Sequence, residues 1–175
     1  QRLAELQAQT QRVETTLKES EAYNRMVFQD ALRPIVIIDP ATGIIDCNHA
    51  AVRMYGHRSR DTVLGRMPLD FSAPTQYDGT DSQTAASQQL RAIFKEGVSS
   101  FAWRAQRANG ELWDAEVHLM AFDSGGKQLL RLTIDDVTKK RRALAEVHTQ
   151  QAEIRKLLEE QQAIFENAPN GMSYT

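Results

Sequence analysis

Histidine and cysteine side chains are the first candidates for chemistry in this sequence, and their spacing does not build a catalytic or metal site. The four histidines are His49, His57, His118 and His148. No two of them lie at the spacing of a zinc-binding pair, and the single cysteine, Cys47, excludes a multi-cysteine zinc site. The sequence also lacks a Gly-rich phosphate loop and a serine on a nucleophile elbow. We therefore predict that these 175 residues are not themselves an enzyme.

His148 leaves one enzymatic alternative open, which is a phosphotransfer function. Phosphoacceptor histidines usually have an acidic neighbour and a following Arg and Pro, and residues 148–151 (HTQQ) contain none of these. We interpret His148 as a solvent-facing residue of a helix. Phosphate label on His148, after incubation with labelled ATP and a cognate kinase domain, is the observation that would support the alternative.

Composition and charge exclude several other classes. With 21 basic and 23 acidic residues the net charge is −2, which disfavours a nucleic-acid partner. No apolar run approaches the roughly 20 residues that span a bilayer, and the start at Gln1 does not resemble a signal peptide. A single cysteine fits a reducing compartment. We expect a cytoplasmic location without membrane contact in this stretch and, because no initiator Met is present, one piece of a longer chain.

Two stretches without Gly or Pro, residues 1–30 and 138–161, are rich in helix-forming residues. In the first stretch, two series repeat every seven residues: Leu6, Val13, Ser20 and Val27, and Leu3, Thr10, Leu17 and Asn24. Two further series begin in the second stretch: Leu144, Gln151, Leu158 and Phe165, and Val147, Ile154 and Gln161. Series that repeat every seven residues form a stripe, or seam, along a helix and indicate a coiled coil. Many of the positions in these seams are polar. We predict a parallel homodimer through these helices, and the alternative is an amphipathic helix packed on the chain's own domain.

The stretch between the helices changes period and predicts a small α+β domain. Residues 35–38 and 44–48 are typical of two short strands joined by a five-residue loop. Helical segments follow between residues 50 and 95. From residue 99, apolar and polar residues alternate in three runs that are joined by an Asn-Gly turn and a Gly-Gly turn. Three such strands predict an antiparallel meander with one core face.

An internal repeat predicts that a second copy of this domain begins near residue 163. Residues 27–31 (VFQDA) align with residues 164–168 (IFENA), and both copies end a Gly-free helix. We interpret the second copy as the start of another domain of the same kind, with a chance match as the alternative. The predicted organisation is a helical linker at 1–22, an α+β domain at 23–138, a helix at 139–162 and the start of the repeat at 163–175.

The order of these elements and several short motifs resemble the PAS sensory family. Residues 44–51 (IIDCNHAA) look like the family's hydrophobic–x–x–Asn–x–Ala stretch, and residues 55–66 contain its Y-G and G-R pairs. Residues 101–111 resemble the hairpin of the G and H strands. Residues 136–142 (DVTKKRR) are similar to the terminal Asp-Ile-Thr signature and the basic helix start after it. Lys139 departs from the family, where Glu is frequent, so a salt bridge from that position is not expected.

The resemblance implies an α+β fold, with a PAS-like five-stranded antiparallel sheet, short helices on one face, and long N- and C-terminal flanking helices. It also allows the family's cofactors to be tested. Haem-binding members carry a ligating His on the long helix, and residues 75–95 contain none. Light-sensing flavin members form an adduct with a Cys, and residues 65–68 (GRMP) contain none. Haem and a Cys-adduct flavin are therefore disfavoured, while a non-covalent flavin or a small metabolite stays open.

A ligand pocket in such a domain is expected between the sheet and the helices. We predict a mostly apolar lining, with polar handles only on its tyrosine and its tryptophan. The candidates are Met54, Tyr55, Phe94, Phe101, Trp103, Val117 and Leu132. The alternative is that these residues only fill the core.

The resemblance implies a sensory or signal-relay module of a larger bacterial signalling protein, which transmits a conformational change through flanking dimeric helices. The expected output is a histidine kinase of a two-component system, a cyclic-dinucleotide synthase or phosphodiesterase, or a chemoreceptor. Asp136 and Thr138 are predicted to couple the last strand to the exiting helix by hydrogen bonding and capping. The chain would then be cytoplasmic, either alone or as part of a membrane-anchored sensor. The alternative function is a ligand-free dimerisation spacer between other sensor domains.

Overall fold

Five antiparallel strands form one sheet. In the computed structural model, which describes residues 1–166, these strands are β1 (Ile35–Asp39), β2 (Gly43–Cys47), β3 (Val98–Gln106), β4 (Leu112–Ser124) and β5 (Lys127–Asp136). Their order across the sheet is β2-β1-β5-β4-β3, so the last three strands are a meander and β1 pairs with β5. The predicted five-stranded antiparallel sheet is confirmed.

The first hairpin is tighter than the sequence predicts. Pairing between β1 and β2 extends to Asp39 and Gly43, which leaves residues 40–42 in the turn, so the prediction of a five-residue loop is wrong. The Asp39 carboxylate accepts a hydrogen bond of 2.8 Å from the Ala41 backbone N–H, which closes the turn. Gly43 has a φ of +97°, and a Cβ atom there would lie 2.6 Å from the Arg66 carbonyl oxygen. Only glycine is compatible with this close approach.

Asn48 fixes the start of α2 (His49–Met54) and is completely buried. Its side-chain oxygen accepts hydrogen bonds of 3.0 Å from the backbone N–H groups of Ile35 and Ala51. Its side-chain amide donates to the Arg33 carbonyl at 2.9 Å. One side chain thus caps the helix and holds the segment that enters β1, which explains why an asparagine occupies this position.

α3 (Ser82–Glu96) is the longer helix on the covered face of the sheet. It begins after Asp81, whose carboxylate accepts a hydrogen bond of 2.9 Å from the Thr84 backbone N–H. It ends at Gly97, which has a φ of +78°. Both ends follow the preferences of helix caps.

The core lies between the sheet and these helices. Two 3₁₀ turns, Arg60–Thr62 and Pro68–Phe71, complete the helical side between α2 and α3. The meander residues that the alternation predicts to face inward are buried together: Ala105, Trp113, Ala115, Val117, Leu119, Leu130, Leu132 and Ile134. Phe101 and Trp103 are partly buried against the same cluster. The period of two therefore predicted the core face of the meander.

α1 (Arg2–Gln29) contains no buried residue. Its apolar side chains are exposed, and Leu3 and Val13 are 74% and 62% accessible to solvent. Phe28 and Gln29, at the end of the helix, are half-buried. The apolar series of α1 is therefore uncovered within residues 1–136, and packing of this series on the chain's own domain is not observed.

α4 (Thr138–Glu166) belongs to a second unit that begins at Val137. It is continuous and carries exposed apolar side chains at Leu144, Val147, Ile154, Leu157 and Leu158. The presence of long flanking helices is confirmed, whereas the predicted domain boundaries stay predictions. The predicted start of a second repeat at 163–175 falls mostly outside the described residues. Among the helices that the structure describes, none has the length and apolar content needed to cross a membrane.

Candidate functional site

A cavity of about 140 Å³ lies between the sheet and the helical side of the domain. β1, β3, β4 and β5 contribute to its walls, because alternate residues of each strand face the same side. Most of the predicted lining residues are part of these walls: Tyr55, Phe101, Trp103, Val117 and Leu132. Their role in binding a ligand stays a prediction.

Two residues of the predicted set do not line the cavity. Phe94 is 47% exposed near the end of α3. Ile93 takes the fully buried position on that helix, and the next residue of an α-helix points about 100° away around the axis. Met54 is buried in the core but is not part of the cavity wall. The wall therefore differs from the predicted set at Met54 and Phe94.

Phe71 and Trp113 are aromatic wall residues that the predicted set does not contain. Phe71 ends the second 3₁₀ turn and stacks on Tyr55, with 4.1 Å between the ring centroids. The segment around Phe71 has no periodicity, so the sequence carries no signal for the direction of its side chain. Trp113 lies on the inward side of β4, and the alternation of that strand was a sufficient signal to include it.

The cavity wall carries no charged side chain within the part of the chain that the structure describes. The Trp103 indole N–H donates a hydrogen bond of 2.9 Å to the Ser72 hydroxyl. The Trp113 indole N–H is buried and has no hydrogen-bond partner among residues 1–166. Burial raises the pKa of the Tyr55 hydroxyl, which therefore stays neutral. The site is suited to an uncharged molecule.

Arg107, which the sequence did not single out, connects the cavity wall to the end of β5. Its Nη2 atom lies 2.5 Å from the Asp136 carboxylate, and its Nη1 atom donates to the Met54 carbonyl. The guanidinium carbon lies 4.8 Å from the centroid of the Trp113 ring, which is a cation–π contact. Glu111 adds a second carboxylate at 3.4 Å. No sequence pattern predicts this cluster, because Met54 and Asp136 lie far from Arg107 in the chain.

Asp136 and Thr138, the predicted coupling residues, stand on either side of the junction between β5 and α4. Asp136 is the last residue of β5, and Thr138 is the first residue of α4. The Arg107 side chain that pairs with Asp136 is 20% exposed, so this ion pair is partly shielded from water. The coupling role of both residues stays a prediction.

His49, His57, His118 and Cys47 are dispersed over the domain, and His148 lies on α4. His118 lies on the polar face of the sheet, with Nδ1 2.8 Å from the Ser100 hydroxyl and Nε2 3.6 Å from the Asp135 carboxylate. Burial lowers the pKa of His57. Burial also raises the pKa of the Cys47 thiol, which disfavours a reactive thiolate. Within residues 1–166, no group of three or more His, Cys, Asp or Glu side chains is placed to hold a metal ion.

Comparison with known families gives one match over most of the domain. The family model described as "PAS domain" matches residues 33–139, which is more than half of the chain. This interval includes every strand of the sheet and every residue named above in the cavity wall.

Curated relatives are distant and much longer. The chain is 24% identical over 157 residues to the sensor histidine kinase TmoS of Ectopseudomonas mendocina, an alignment that covers 87% of this chain and 15% of that protein. It is 27% identical over 135 residues to an uncharacterized protein of Azorhizobium caulinodans, covering 71% of this chain and 17% of that protein. The chain thus spans less than a fifth of the length of these relatives.

Solved structures share the fold. The crystal structure of the PAS domain of an HTR-like protein from Haloarcula marismortui has a TM-score of 0.61 and 21% sequence identity to this chain. The superposition covers 72% of this chain and 98% of that domain. The similarity at this identity concerns the architecture and not the ligand or the partner.

Proposed function

The chain belongs to the PAS domain family, and from this premise we propose that it is a sensory, signal-relay module of a bacterial signalling protein. PAS domains are typical of signalling sensors, and they are not themselves catalytic. The similarity to a sensor histidine kinase favours a kinase of a two-component system as the output, ahead of a cyclic-dinucleotide enzyme or a chemoreceptor. We place the module in the cytoplasm, alone or as part of a membrane-anchored sensor.

The observation that carries this proposal is a chain of contacts from the cavity to the end of β5. Trp113 forms part of the cavity wall, and Arg107 lies over its ring. Arg107 also pairs with Asp136, after which the chain continues into α4 at Thr138. A small molecule that moves Trp113 would therefore displace the Arg107–Asp136 pair. Asp136 lies two residues before Thr138, the first residue of α4.

The strength of the Arg107–Asp136 ion pair depends on its geometry. A guanidinium and a carboxylate at 2.5 Å form a charge-assisted hydrogen bond, which is stronger and more sensitive to geometry than a neutral one. The same guanidinium is held by the Met54 carbonyl at the end of α2. A shift of the Trp113 ring would therefore move the Arg107 guanidinium. The movement would change the strength of its hydrogen bonds to the Met54 carbonyl and to the Asp136 carboxylate.

We propose that α1 and α4 pair with the same helices of a second copy and carry the message onward. Both helices present exposed apolar residues at heptad spacing, which a second copy would cover. Polar residues interrupt these seams at Thr10, Asn24, Gln151 and Gln161. Polar layers weaken the contact between paired helices. Two registers of the pair can then differ in free energy by only about 2–3 kcal/mol, whereas a fully apolar seam would hold a single register.

Asp136→Ala in the full-length signalling protein tests the relay. We expect the domain to fold and the response of the output to the signal to fall by about tenfold, which corresponds to a coupling free energy of typical size. The measurement is output activity with and without signal, with folding checked by thermal melting.

Asp46→Ala is the matched control, because Asp46 also pairs with an arginine, Arg60 at 2.7 Å, and both carboxylates are similarly exposed. The control should respond like the wild type. A normal response in Asp136→Ala would contradict the relay and would favour the ligand-free spacer function.

A further inference from the structure

The last two residues of β5, Asp135 and Asp136, are each paired with an arginine. Arg107 pairs with Asp136 on the face of the sheet that carries the cavity. Arg33 pairs with Asp135 on the outer face, where its Nη2 and Nε atoms lie 2.5 Å and 3.1 Å from the two carboxylate oxygens. Neighbouring residues of a strand point to opposite faces, so the end of one strand can have two separate charged partners.

Arg33 belongs to the short segment, residues 30–34, that joins α1 to β1. Pro34 fixes its own φ and restricts the backbone of Arg33 to extended conformations. The Pro34 carbonyl accepts a hydrogen bond of 3.3 Å from the Ile134 N–H, and the Arg33 carbonyl accepts one of 2.9 Å from the Asn48 side chain. A displacement of α1 at its end therefore acts on the ends of β1 and β5, because no flexible linker is present to absorb it.

The end of α1 is itself in contact with the domain. Phe28 and Gln29 are half-buried, whereas the helix before them is exposed. The Gln29 side-chain amide lies 3.5 Å from the Cys47 carbonyl, and the Asn48 amide also donates to the Ala31 carbonyl at 3.4 Å. A rotation of α1 would therefore be felt in the segment that carries the Arg33 side chain.

The Arg33–Asp135 pair can change without unfolding the domain. The two side chains are 50% and 40% exposed, and exposed ion pairs contribute little to the free energy of unfolding. A guanidinium that contacts both oxygens of a carboxylate nevertheless fixes the orientation of both groups. Loss of this contact would therefore alter the position of Asp135 in a domain that is still folded.

We propose that the end of β5 receives two inputs, one from the cavity through Arg107 and Asp136, and one from α1 through Arg33 and Asp135. The second input requires no ligand. The proposal rests on the proposed function, because it takes α4 as the element that carries the output. In a longer protein, a domain that precedes α1 would act through this second input on the same output as the cavity.

Insertion of alanines between Ser20 and Glu21 in the full-length signalling protein supplies an input to α1 without any ligand. Each inserted residue rotates the helix before it by about 100° relative to the helix after it, and seven residues nearly restore the original phase. The insertion site is exposed, so the contacts of residues 28–34 are retained. Output activity, measured without signal, should vary over insertions of one to seven alanines and return near the wild-type value at seven.

Arg33→Ala and Asp135→Asn should weaken this variation. The ratio between the highest and the lowest output in the series should fall by about threefold in each variant, which is the effect expected for the loss of one exposed ion pair. Asp135→Asn keeps the size of the side chain and removes its charge. Arg60→Ala is the matched control, because Arg60 pairs with Asp46 at 2.7 Å with similar exposure, and it should keep the ratio of the wild type.

Two results would overturn the proposal. The first is a wild-type output that does not vary with the insertions, and the second is a variation as strong in Arg33→Ala and Asp135→Asn as in the wild type.

Asp136→Ala separates this proposal from the relay that starts at the cavity. In that variant the response to the signal should fall, while the variation with the insertions should stay at the wild-type level. Loss of both responses in Asp136→Ala would indicate a single route and would also overturn the proposal. A normal response to the signal in Asp136→Ala, together with a variation that depends on Arg33, would contradict the cavity relay and support the input from α1.

Discussion

Asn48 shows how much a single buried side chain contributes to this domain. It is fully buried and bonds to the backbone groups of Ile35, Ala51 and Arg33. An alanine at this position removes the side-chain partner of the Ile35 N–H and of the Arg33 carbonyl at the partly buried entry to β1, and it leaves the Ala51 N–H with only the backbone carbonyl of residue 48. The cost is therefore that of more than one lost hydrogen bond.

Asn48→Ala should therefore lower the free energy of unfolding by about 2–3 kcal/mol, as measured by denaturant titration. Asn109→Ala is the control, because Asn109 bonds to the Glu111 backbone N–H in an exposed turn, and water can replace that bond. The control should change the free energy of unfolding by less than about 1 kcal/mol. Equal losses for the two variants would contradict the role assigned to Asn48.

For single residues, the sequence predicts the facing of side chains on regular strands better than it predicts contacts between segments that are far apart in the chain. Trp103 and Val117 could be placed at the cavity because alternate strand residues share a face. Phe94 was misplaced because Ile93, its neighbour on α3, takes the buried position. Arg107 could not be found from the sequence, since its contact with Asp136 exists only after segments that are far apart in the chain come together.

α3 illustrates the scale of whole elements, because capping at both ends determines its length. Asp81 provides the cap at its start, and hydrogen bonds from the Thr84 hydroxyl and backbone N–H lower the pKa of the Asp81 carboxyl below its ordinary value. A carboxyl with a lowered pKa in the folded state stabilises that state at pH values above its ordinary pKa. This stabilisation is lost as the pH falls through the lower, folded-state pKa.

Asp81→Ala should lower the Tm by a few degrees at pH 7, because the first turn of α3 loses its acceptor. The difference from the wild type should shrink as the pH is lowered through about 4, where the wild-type carboxylate begins to take up its proton. Asp81→Asn keeps the acceptor without the charge, so its Tm should lie between the other two at pH 7. A deficit in Asp81→Ala that stays constant between pH 7 and pH 3 would contradict this account.

The elements of the meander were predictable because their alternation and turn residues agree. The length of the first turn was not predictable. Pairing at Asp39 and Gly43 shortens this turn, and it depends on contacts with Ala41 and Arg66 that the alternation of the strands does not encode. The 3₁₀ turn Pro68–Phe71, which contributes an aromatic wall residue, has no periodic signal at all.

At the scale of the whole molecule, a domain with a cavity lies, in chain order, between two helices whose apolar residues are exposed in the described chain. The sequence predicted both helices from their composition and heptads, but heptads alone do not identify what covers them. We propose that a second copy of the chain covers these helices. In this proposal the cavity receives the signal, and the register of the paired helices transmits it.

The most direct test of this account is the distance between the two copies of α4 in the wild type and in Asp136→Ala. Lys156→Cys in a Cys47→Ala background gives one spin-label site per chain, away from the predicted seam, for pulsed electron–electron double resonance. We expect an inter-chain distance distribution that changes when Asp136→Ala removes the ion pair with Arg107 and that stays the same in the control Asp46→Ala. A monomer without inter-chain distances at high protein concentration, or an identical distribution in Asp136→Ala, would contradict the account.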